Sequence, residues 1–148
     1  MSFYEITGGR PLEGAVAVQG AKNSVLPILA AALLAPGVSV IHNCPDLTDV
    51  NAAIDILRLL GCSVTREGDT VTINAASPVP APIPEQLSRE LRSSVIFMGA
   101  ILSRMGAGEL AYPGGCDLGP RPIDLHLSAL RMLGADIREE RGSLHFAW

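Results

Sequence analysis

Apolar and polar positions along this chain alternate with two periodicities, one typical of helices and one typical of strands. Helical spacing predicts helices over 22–35, 48–60, 88–104 and 122–133. In the second of these, the apolar residues that share one face are Val50, Ala53, Ile54, Leu57 and Leu60. Short apolar runs bounded by turn residues predict strands over 38–42, 62–66, 70–74, 108–112, 135–139 and 142–147.

The order of these elements is the same in both halves of the chain, which predicts an internal repeat. Ser24-Val25 corresponds to Ser94-Val95 at an offset of 70 residues, and the stretch 54–61 corresponds to 127–134 at an offset of 73. The offset grows, so the second copy has the longer middle loop. Gly61 and Gly134 each follow the last residue of a predicted helix, where a left-handed conformation favours glycine. We expect two α-β-α-β-β units that pack together.

Composition defines where each copy of the repeat begins and ends and leaves the predicted order of elements unchanged. The first repeat covers 21–76 and the second, which carries the long loop, covers 87–148. Alternating prolines over 77–86 predict a stiff, extended connector. Residues 1–20, with the stretch GGRPLEGAVAVQG, predict short strands outside the repeat. With 48% hydrophobic and only 4% aromatic residues, the chain is typical of the α/β or α+β class.

Charge and cysteine usage exclude several classes of partner. The net charge is −4 without a basic run, which argues against nucleic acid. Three widely spaced cysteines form neither a disulfide framework nor a metal motif, so a reducing cytoplasm is the expected location, without metal or cofactor. The uncharged stretch 23–45 is interrupted by Pro27, Pro36 and Gly37, and the N-terminus lacks a basic region, so we expect neither a membrane span nor a secretory signal.

Gly20-Ala21-Lys22-Asn23 opens a predicted apolar helix. Free backbone N–H groups and a cation at the positive end of a helix dipole are suited to a phosphate or carboxylate. The alternative, an asparagine cap beside a solvated lysine, stays open on these residues alone.

The stretch PGGCDLGPRPIDLH, residues 113–126, contains a second candidate site. Cys116 lies among glycines and precedes Arg121 and a helix whose first turn suits Pro122. A guanidinium and a helix N-terminus both favour a thiolate, so we expect a reactive cysteine on a mobile loop. The alternative is a small buried side chain, and we predict that packing role for Cys44 and Cys62.

Weaker candidates accompany these two sites. Arg92 starts the helix that matches the Lys22 helix, although it is equally well explained as a solvated or salt-bridged arginine next to Glu90. Asp124 suits the first helical turn electrostatically, and His126 follows it. The histidines and Cys44 show no metal-ligand spacing.

GAKN at 20–23 together with PGGCDLGPRPIDLH at 113–126 closely resembles the UDP-N-acetylglucosamine 1-carboxyvinyltransferases, and the similarity runs through the whole chain, including GGRPLEG, RLLGCSV and RMLGADI. The resemblance implies an inside-out α/β barrel of repeated units. It also implies transfer of the enolpyruvyl group of phosphoenolpyruvate to the 3′-hydroxyl of UDP-N-acetylglucosamine with loss of phosphate. In peptidoglycan synthesis this is the first committed step, and fosfomycin inhibits it by alkylating the loop cysteine.

The same resemblance assigns roles by position. Cys116 is implied as the acid that protonates the methylene carbon of the enolpyruvyl group. Lys22, Asn23 and Arg121 are implied to bind phosphoenolpyruvate. The residues implied to contact the sugar nucleotide are Arg92, Arg121, Pro122, Ile123, Asp124 and Leu125. Ile96 and Phe97 depart from the pattern, because some members have tryptophan there.

Members of this family are nearly three times as long, with six copies of the unit in two domains. By analogy, residues 1–20 belong to the other domain, and the aspartate that accepts the sugar proton lies beyond residue 148. We therefore expect little activity from these 148 residues alone, and the C-terminal portion of the same enzyme is the expected partner. The alternatives are a non-catalytic module that binds phosphate or a nucleotide sugar, a half-protein that needs a partner chain, and a structural remnant with an inert loop.

Overall fold

The computed structural model describes residues 3–113 and 122–148, which form a mixed α/β fold. The first copy of the repeat contains α1 (Lys22–Ala32), β1 (Val38–Ile41), α2 (Thr48–Leu59), β2 (Ser63–Glu67) and β3 (Thr70–Asn74). The second contains α3 (Glu85–Glu90), α4 (Ile96–Met105), β4 (Ala107–Ala111), α5 (Asp124–Met132), β5 (Asp136–Glu140) and β6 (Ser143–Ala147). The α/β class is confirmed.

Each copy builds one three-stranded antiparallel sheet with its last strand in the centre, in the orders β1-β3-β2 and β4-β6-β5. The hairpin registers are the same in both copies. Ser63 pairs with Asn74 in the first hairpin, and Asp136 pairs with Ala147 in the second, at the offset of 73. The repeat predicted from side-chain pattern is therefore present in the backbone pairing itself.

Local signals place the C-terminal ends of α2 and α5 where the sequence predicts them. The apolar face of α2 is fully buried, with Val50, Ala53 and Leu57 at 0% exposure. Both helices end before a glycine in the left-handed region, Gly61 at φ 80° and Gly134 at φ 106°. These glycines allow the chain to leave the helix and enter the hairpin at once.

The predicted single helix over 88–104 is wrong. The chain forms a short helix α3, which begins directly after Pro84, and then a separate helix α4. Between them, residues 92–95 form tight turns, in which the Ser94 N–H donates to Leu91 O at 2.8 Å and the Phe97 N–H donates to Ser94 O at 2.9 Å. Two consecutive serines favour such turns because their side chains compete for backbone partners.

Two further expectations are corrected. Pro122 is not in the first turn of α5, because that helix begins at Asp124 with Ile123 as its N-cap. Residues 3–20 form neither strand nor helix and are largely exposed, so the strands predicted there are absent from this part of the structure. A strand is stable only when a neighbour accepts its backbone hydrogen bonds, and the described residues offer this segment none.

One hydrophobic core joins the two repeats. It contains Leu29 and Leu57 from the first copy and Phe97, Ile101 and Leu144 from the second. Helix α1 packs against both α2 and α4, so it lies at the junction of the copies. The proline-rich connector adds to the second sheet through Ile83, whose N–H donates to Glu109 O at 3.0 Å. The junction is the part of the fold that positions the candidate site.

Candidate active site

A cavity of about 480 Å³ opens where the two repeats meet. Its lining includes five residues predicted as site residues: Lys22, Asn23, Arg92, Pro122 and Ile123. The described residues that also line it are Leu26, Asp49, Ser93 and Pro113. This volume falls within the range of small-molecule sites, roughly 300–1,000 Å³.

Lys22 and Arg92 occupy equivalent positions in the two repeats, at the offset of 70 found in the sequence. The backbone around them repeats as well. The Ser24 N–H donates to Ala21 O at 3.1 Å, and the Ser94 N–H makes the equivalent bond to Leu91 O at 2.8 Å. The cavity therefore holds one cation from each copy, related by the internal repeat.

Three helices contribute N-terminal residues to the lining of this cavity. Lys22 and Asn23 begin α1, Asp49 is the second residue of α2, and Ile123 is the N-cap of α5, while Ser93 lies in the turn that precedes α4. Each helix N-terminus carries a partial positive charge of about half an elementary charge and unpaired N–H donors. Together with Lys22 and Arg92, these ends make the cavity suited to an anion.

The side chain of Lys22 is neither free nor a simple surface group. Its Nζ lies 2.8 Å from Oδ2 of Asp49, and the two side chains are 45% and 32% exposed. Asn23 is not a cap, because the N-cap of α1 is Ala21 and no side chain caps this helix. The predicted alternative of an asparagine cap is therefore wrong, while Lys22 is partly solvated and also paired with a carboxylate.

Arg92 lies in the turn before α4 and is half buried. Its guanidinium forms no ion pair with any residue of the described ranges, Glu90 included. One cation of the cavity thus has a carboxylate partner, and its equivalent in the second repeat has none within residues 3–113 and 122–148.

The structure describes two of the three cysteines. Cys44 and Cys62 are 1% and 5% exposed, which confirms their predicted packing role. Burial raises the pKa of both thiols, so these two groups remain protonated at neutral pH. Cys116 and Arg121 lie outside the described residues, and their predicted roles stay predictions.

Three predicted residues of α5 are not part of the described cavity lining. Asp124 and Leu125 are exposed in its first turn, Leu125 to 81%. His126 is half buried, with its Nε2 atom enclosed and without a hydrogen-bond partner. Phe97, at the position where some members of the resembled family have tryptophan, is fully buried in the core.

Sequence reasoning missed Asp49, Leu26, Ser93 and Pro113 as lining residues. A signal for Asp49 was present. At the offset of 73 it corresponds to Pro122, which was already a predicted site residue. Applying the repeat to the site as well as to the fold would have identified it.

Residues 6–147 match the family described as EPSP synthase (3-phosphoshikimate 1-carboxyvinyltransferase). The chain belongs to the EPSP synthase family. This membership agrees with the resemblance drawn from the two motifs. Within the described ranges, no helix of this family member has the length and apolar character to cross a membrane. None of its described His, Cys, Asp and Glu residues form a group of three that could hold a metal ion.

Curated relatives share nearly half of the sequence. The chain is 49% identical over 142 residues to UDP-N-acetylglucosamine 1-carboxyvinyltransferase 2 of Caldanaerobacter subterraneus subsp. tengcongensis, covering 96% of this chain and 34% of the relative. It is 48% identical over 145 residues to UDP-N-acetylglucosamine 1-carboxyvinyltransferase of Anaeromyxobacter sp. (strain K), with the same coverage. The chain thus spans about a third of the length of these relatives.

Solved structures agree on the fold. The enolpyruvyl transferase NikO from Streptomyces tendae superimposes with a TM-score of 0.79 at 28% identity, covering 95% of this chain and 31% of that one. EPSP synthase from Acinetobacter baumannii gives a TM-score of 0.66 at 20% identity, covering 90% of this chain and 32% of that one, and supports the fold alone. The predicted enolpyruvyl transferase-like fold is confirmed.

Proposed function

We propose that this chain is a portion of a UDP-N-acetylglucosamine 1-carboxyvinyltransferase. The reaction moves the enolpyruvyl group of phosphoenolpyruvate to the 3′-hydroxyl of UDP-N-acetylglucosamine. The carbon–oxygen bond to phosphate breaks, a new carbon–oxygen bond to the sugar forms, and inorganic phosphate leaves. The proposed setting is the first committed step of peptidoglycan synthesis in the cytoplasm, where it serves cell shape and division.

The observation that carries this proposal is the cavity between the repeats. It combines Lys22, Asn23 and Arg92 with three helix N-termini, a set of groups that favours a phosphorylated anion over a neutral ligand. Hydrogen bonds to charged groups contribute about 1.5–3 kcal/mol each, so a few of them suffice for a small, highly charged substrate. The names of the nearly half-identical relatives supply the substrate pair.

In this proposal Lys22 and Asn23 hold phosphoenolpyruvate, with Arg121 as a further cation. Arg92 and the segment 121–125 contact the sugar nucleotide. Cys116 donates a proton to the methylene carbon of the enolpyruvyl group as the sugar oxygen adds to the neighbouring carbon, a step in which a positioned acid contributes about 10²–10⁴ in rate. The methyl group formed in this way loses a proton again as phosphate leaves, which restores the carbon–carbon double bond of the product. Cys116 and Arg121 belong to the part of the chain outside the described residues.

The chain spans about a third of the relatives' length, and we propose that turnover requires their remaining part. The prediction is that this chain binds phosphoenolpyruvate and UDP-N-acetylglucosamine but releases no phosphate from them by itself. Calorimetric titration and a phosphate-release assay measure the two properties separately. Binding without turnover is also what a non-catalytic module would give, and restored turnover after addition of the C-terminal portion of a relative distinguishes the two.

The site assignment is tested by Lys22→Ala, expected to weaken binding of phosphoenolpyruvate, and by Arg92→Ala, expected to weaken binding of UDP-N-acetylglucosamine, each by about 10- to 100-fold, since a hydrogen bond to a charged group contributes about 1.5–3 kcal/mol. The matched control is Arg89→Ala, which removes an exposed arginine paired with Glu85 on α3. Equal affinity of all three variants would contradict the assignment.

The role of the loop thiol is tested with fosfomycin. Alkylation at Cys116, read by mass spectrometry, is expected to be fast, while the buried thiols of Cys44 and Cys62 serve as internal controls. Equal labelling of the three cysteines would remove the reactive-thiol assignment.

A further inference from the structure

A carboxylate lines the cavity that is otherwise suited to anions. Asp49 stands in the first turn of α2, and its Oδ2 atom lies 2.8 Å from Lys22 Nζ. Its charge opposes that of any phosphorylated ligand in the cavity. Asp49 also favours α2 through the helix dipole, but that effect needs no contact with Lys22.

The internal repeat supplies a comparison within the same molecule. Lys22 and Arg92 are equivalent at the offset of 70, while Asp49 and Pro122 are equivalent at the offset of 73. The second copy thus has a proline at the position of the carboxylate. Among the described residues, Lys22 has a carboxylate partner and Arg92 has none, so the pair does not follow from the repeated unit itself.

A lysine ammonium is carried on a flexible four-carbon stem, and a single contact can restrict its motion. Asp49 makes that contact, and the hydrogen bond fixes the Nζ atom at the wall of the cavity. No other hydrogen bond joins Lys22 Nζ to a side chain of the described residues. We propose that Asp49 is a positioning residue, which orients Lys22 for the phosphoryl group of the ligand. The proposal rests on the proposed function, in which Lys22 binds phosphoenolpyruvate.

A positioning role and simple electrostatics predict opposite effects of removing Asp49 on the affinity for an anionic ligand. Removing a negative charge from an anion site should tighten anion binding if charge alone matters. Removing a positioning contact should weaken it, because the ligand must then order the lysine itself. Exposed ion pairs couple by about 0.2–1 kcal/mol, which corresponds to a weakening of about 1.5- to 5-fold.

The test is a double-mutant cycle in the full chain, with phosphoenolpyruvate as the titrated ligand. With Lys22 present, Asp49→Ala is expected to weaken binding 1.5- to 5-fold, and Asp49→Glu, which restores a carboxylate, to recover part of the loss. In combination with Lys22→Ala, the same Asp49→Ala change should leave binding unchanged or tighten it, since only the charge effect remains. Unchanged or tighter binding by Asp49→Ala with Lys22 present overturns the proposal.

A second measurement needs no ligand. Lys22 is the single lysine of the chain, so ¹³C-lysine labelling reports on it alone. Asp49→Ala is expected to lower the order parameter of the Lys22 Cε atom. Asp55→Ala, which breaks the exposed pair with Arg58 on the same helix, should leave it unchanged. If both variants give the wild-type value, Asp49 does not order Lys22.

The two measurements separate two failures. If the unaltered chain does not bind phosphoenolpyruvate, the proposed function fails, while the order parameter still decides whether Asp49 holds Lys22. If the chain binds the ligand but Asp49→Ala leaves affinity and order as they were, only the positioning role fails. Spectra of the backbone amides establish that each variant is folded, and Asp49→Asn replaces Asp49→Ala if the latter is not.

Discussion

Replacing Gly20 by alanine places a methyl group against the backbone that leads into the cavity. A Cβ atom on Gly20 would lie 2.0 Å from the carbonyl oxygen of Asn43, where ordinary contact begins at 3.4 Å. The two segments are also joined by a hydrogen bond, because the Gly20 N–H donates to Oδ1 of Asn43 at 3.2 Å. Asn43 itself has φ 54°, so its own conformation leaves little freedom to rotate the oxygen away.

The clash requires a separation of about 1.4 Å, the difference between the two distances, between two main-chain segments. Overpacking of this kind costs about 1–3 kcal/mol, which exceeds the roughly 0.4–1 kcal/mol that Gly→Ala contributes by restricting the unfolded chain. Because the displacement is large, we take the upper end of about 3 kcal/mol, which leaves a net loss of about 2–2.6 kcal/mol. For a chain of this size, 1 kcal/mol corresponds to about 2–4 °C in melting temperature, so we expect a loss of about 4–10 °C. Because Gly20 lies two residues before Lys22, the same shift is expected to lengthen the 2.8 Å contact between Lys22 and Asp49.

Two assays and one control check this reasoning. Thermal unfolding measures the stability loss, and calorimetric titration with phosphoenolpyruvate measures the effect on the cavity. Gly8→Ala is the matched control, since a Cβ at Gly8 meets nothing within 4 Å and its φ is not left-handed. The reasoning is refuted if Gly20→Ala melts at the same temperature as Gly8→Ala, or if it binds phosphoenolpyruvate as the unaltered chain does.

Two further predictions concern stability. The guanidinium of Arg104 on α4 donates to two carbonyls after β3, both at 3.3 Å, and so links the two repeats. Arg104→Met is therefore expected to lower the free energy of unfolding by about 1–3 kcal/mol in urea titrations. The control Arg138→Met breaks only an exposed ion pair and should leave the urea midpoint in place. Burial raises the pKa of Cys44 and Cys62 above the usual value near 9.0, so their contribution to stability is complete below that pH and is lost as pH rises through the folded values. The urea midpoint of the unaltered chain should therefore fall above pH 9, and the double variant Cys44→Ala/Cys62→Ala should show a smaller fall. If the midpoints of the unaltered chain and the double variant depend on pH in the same way, the two buried thiols are not the cause.

The sequence predicted elements best where the signal is local and repeated. The buried face of α2, the two hairpins and the left-handed Gly61 and Gly134 all follow from spacing and turn chemistry, which act within a few residues. The break between α3 and α4 was missed because residues 88–104 carry an unbroken helical pattern. The pair Ser93-Ser94 favours a turn without requiring one, and the tertiary structure, in which Ser88 and Ser94 are fully buried, decides that the chain turns there.

For the candidate site, the sequence by itself determined which residue types are present and that they occur in two related copies. The sequence alone predicts that a helix begins at Lys22 and that Lys22 is equivalent to Arg92, because backbone geometry and repetition are encoded locally. The tertiary structure decided that both cations share one cavity and that Asp49, 27 residues away, pairs with Lys22. Such contacts depend on how α1 packs against α2 in its own copy and against α4 of the other copy. That packing is set by the whole core, which no single stretch of sequence contains.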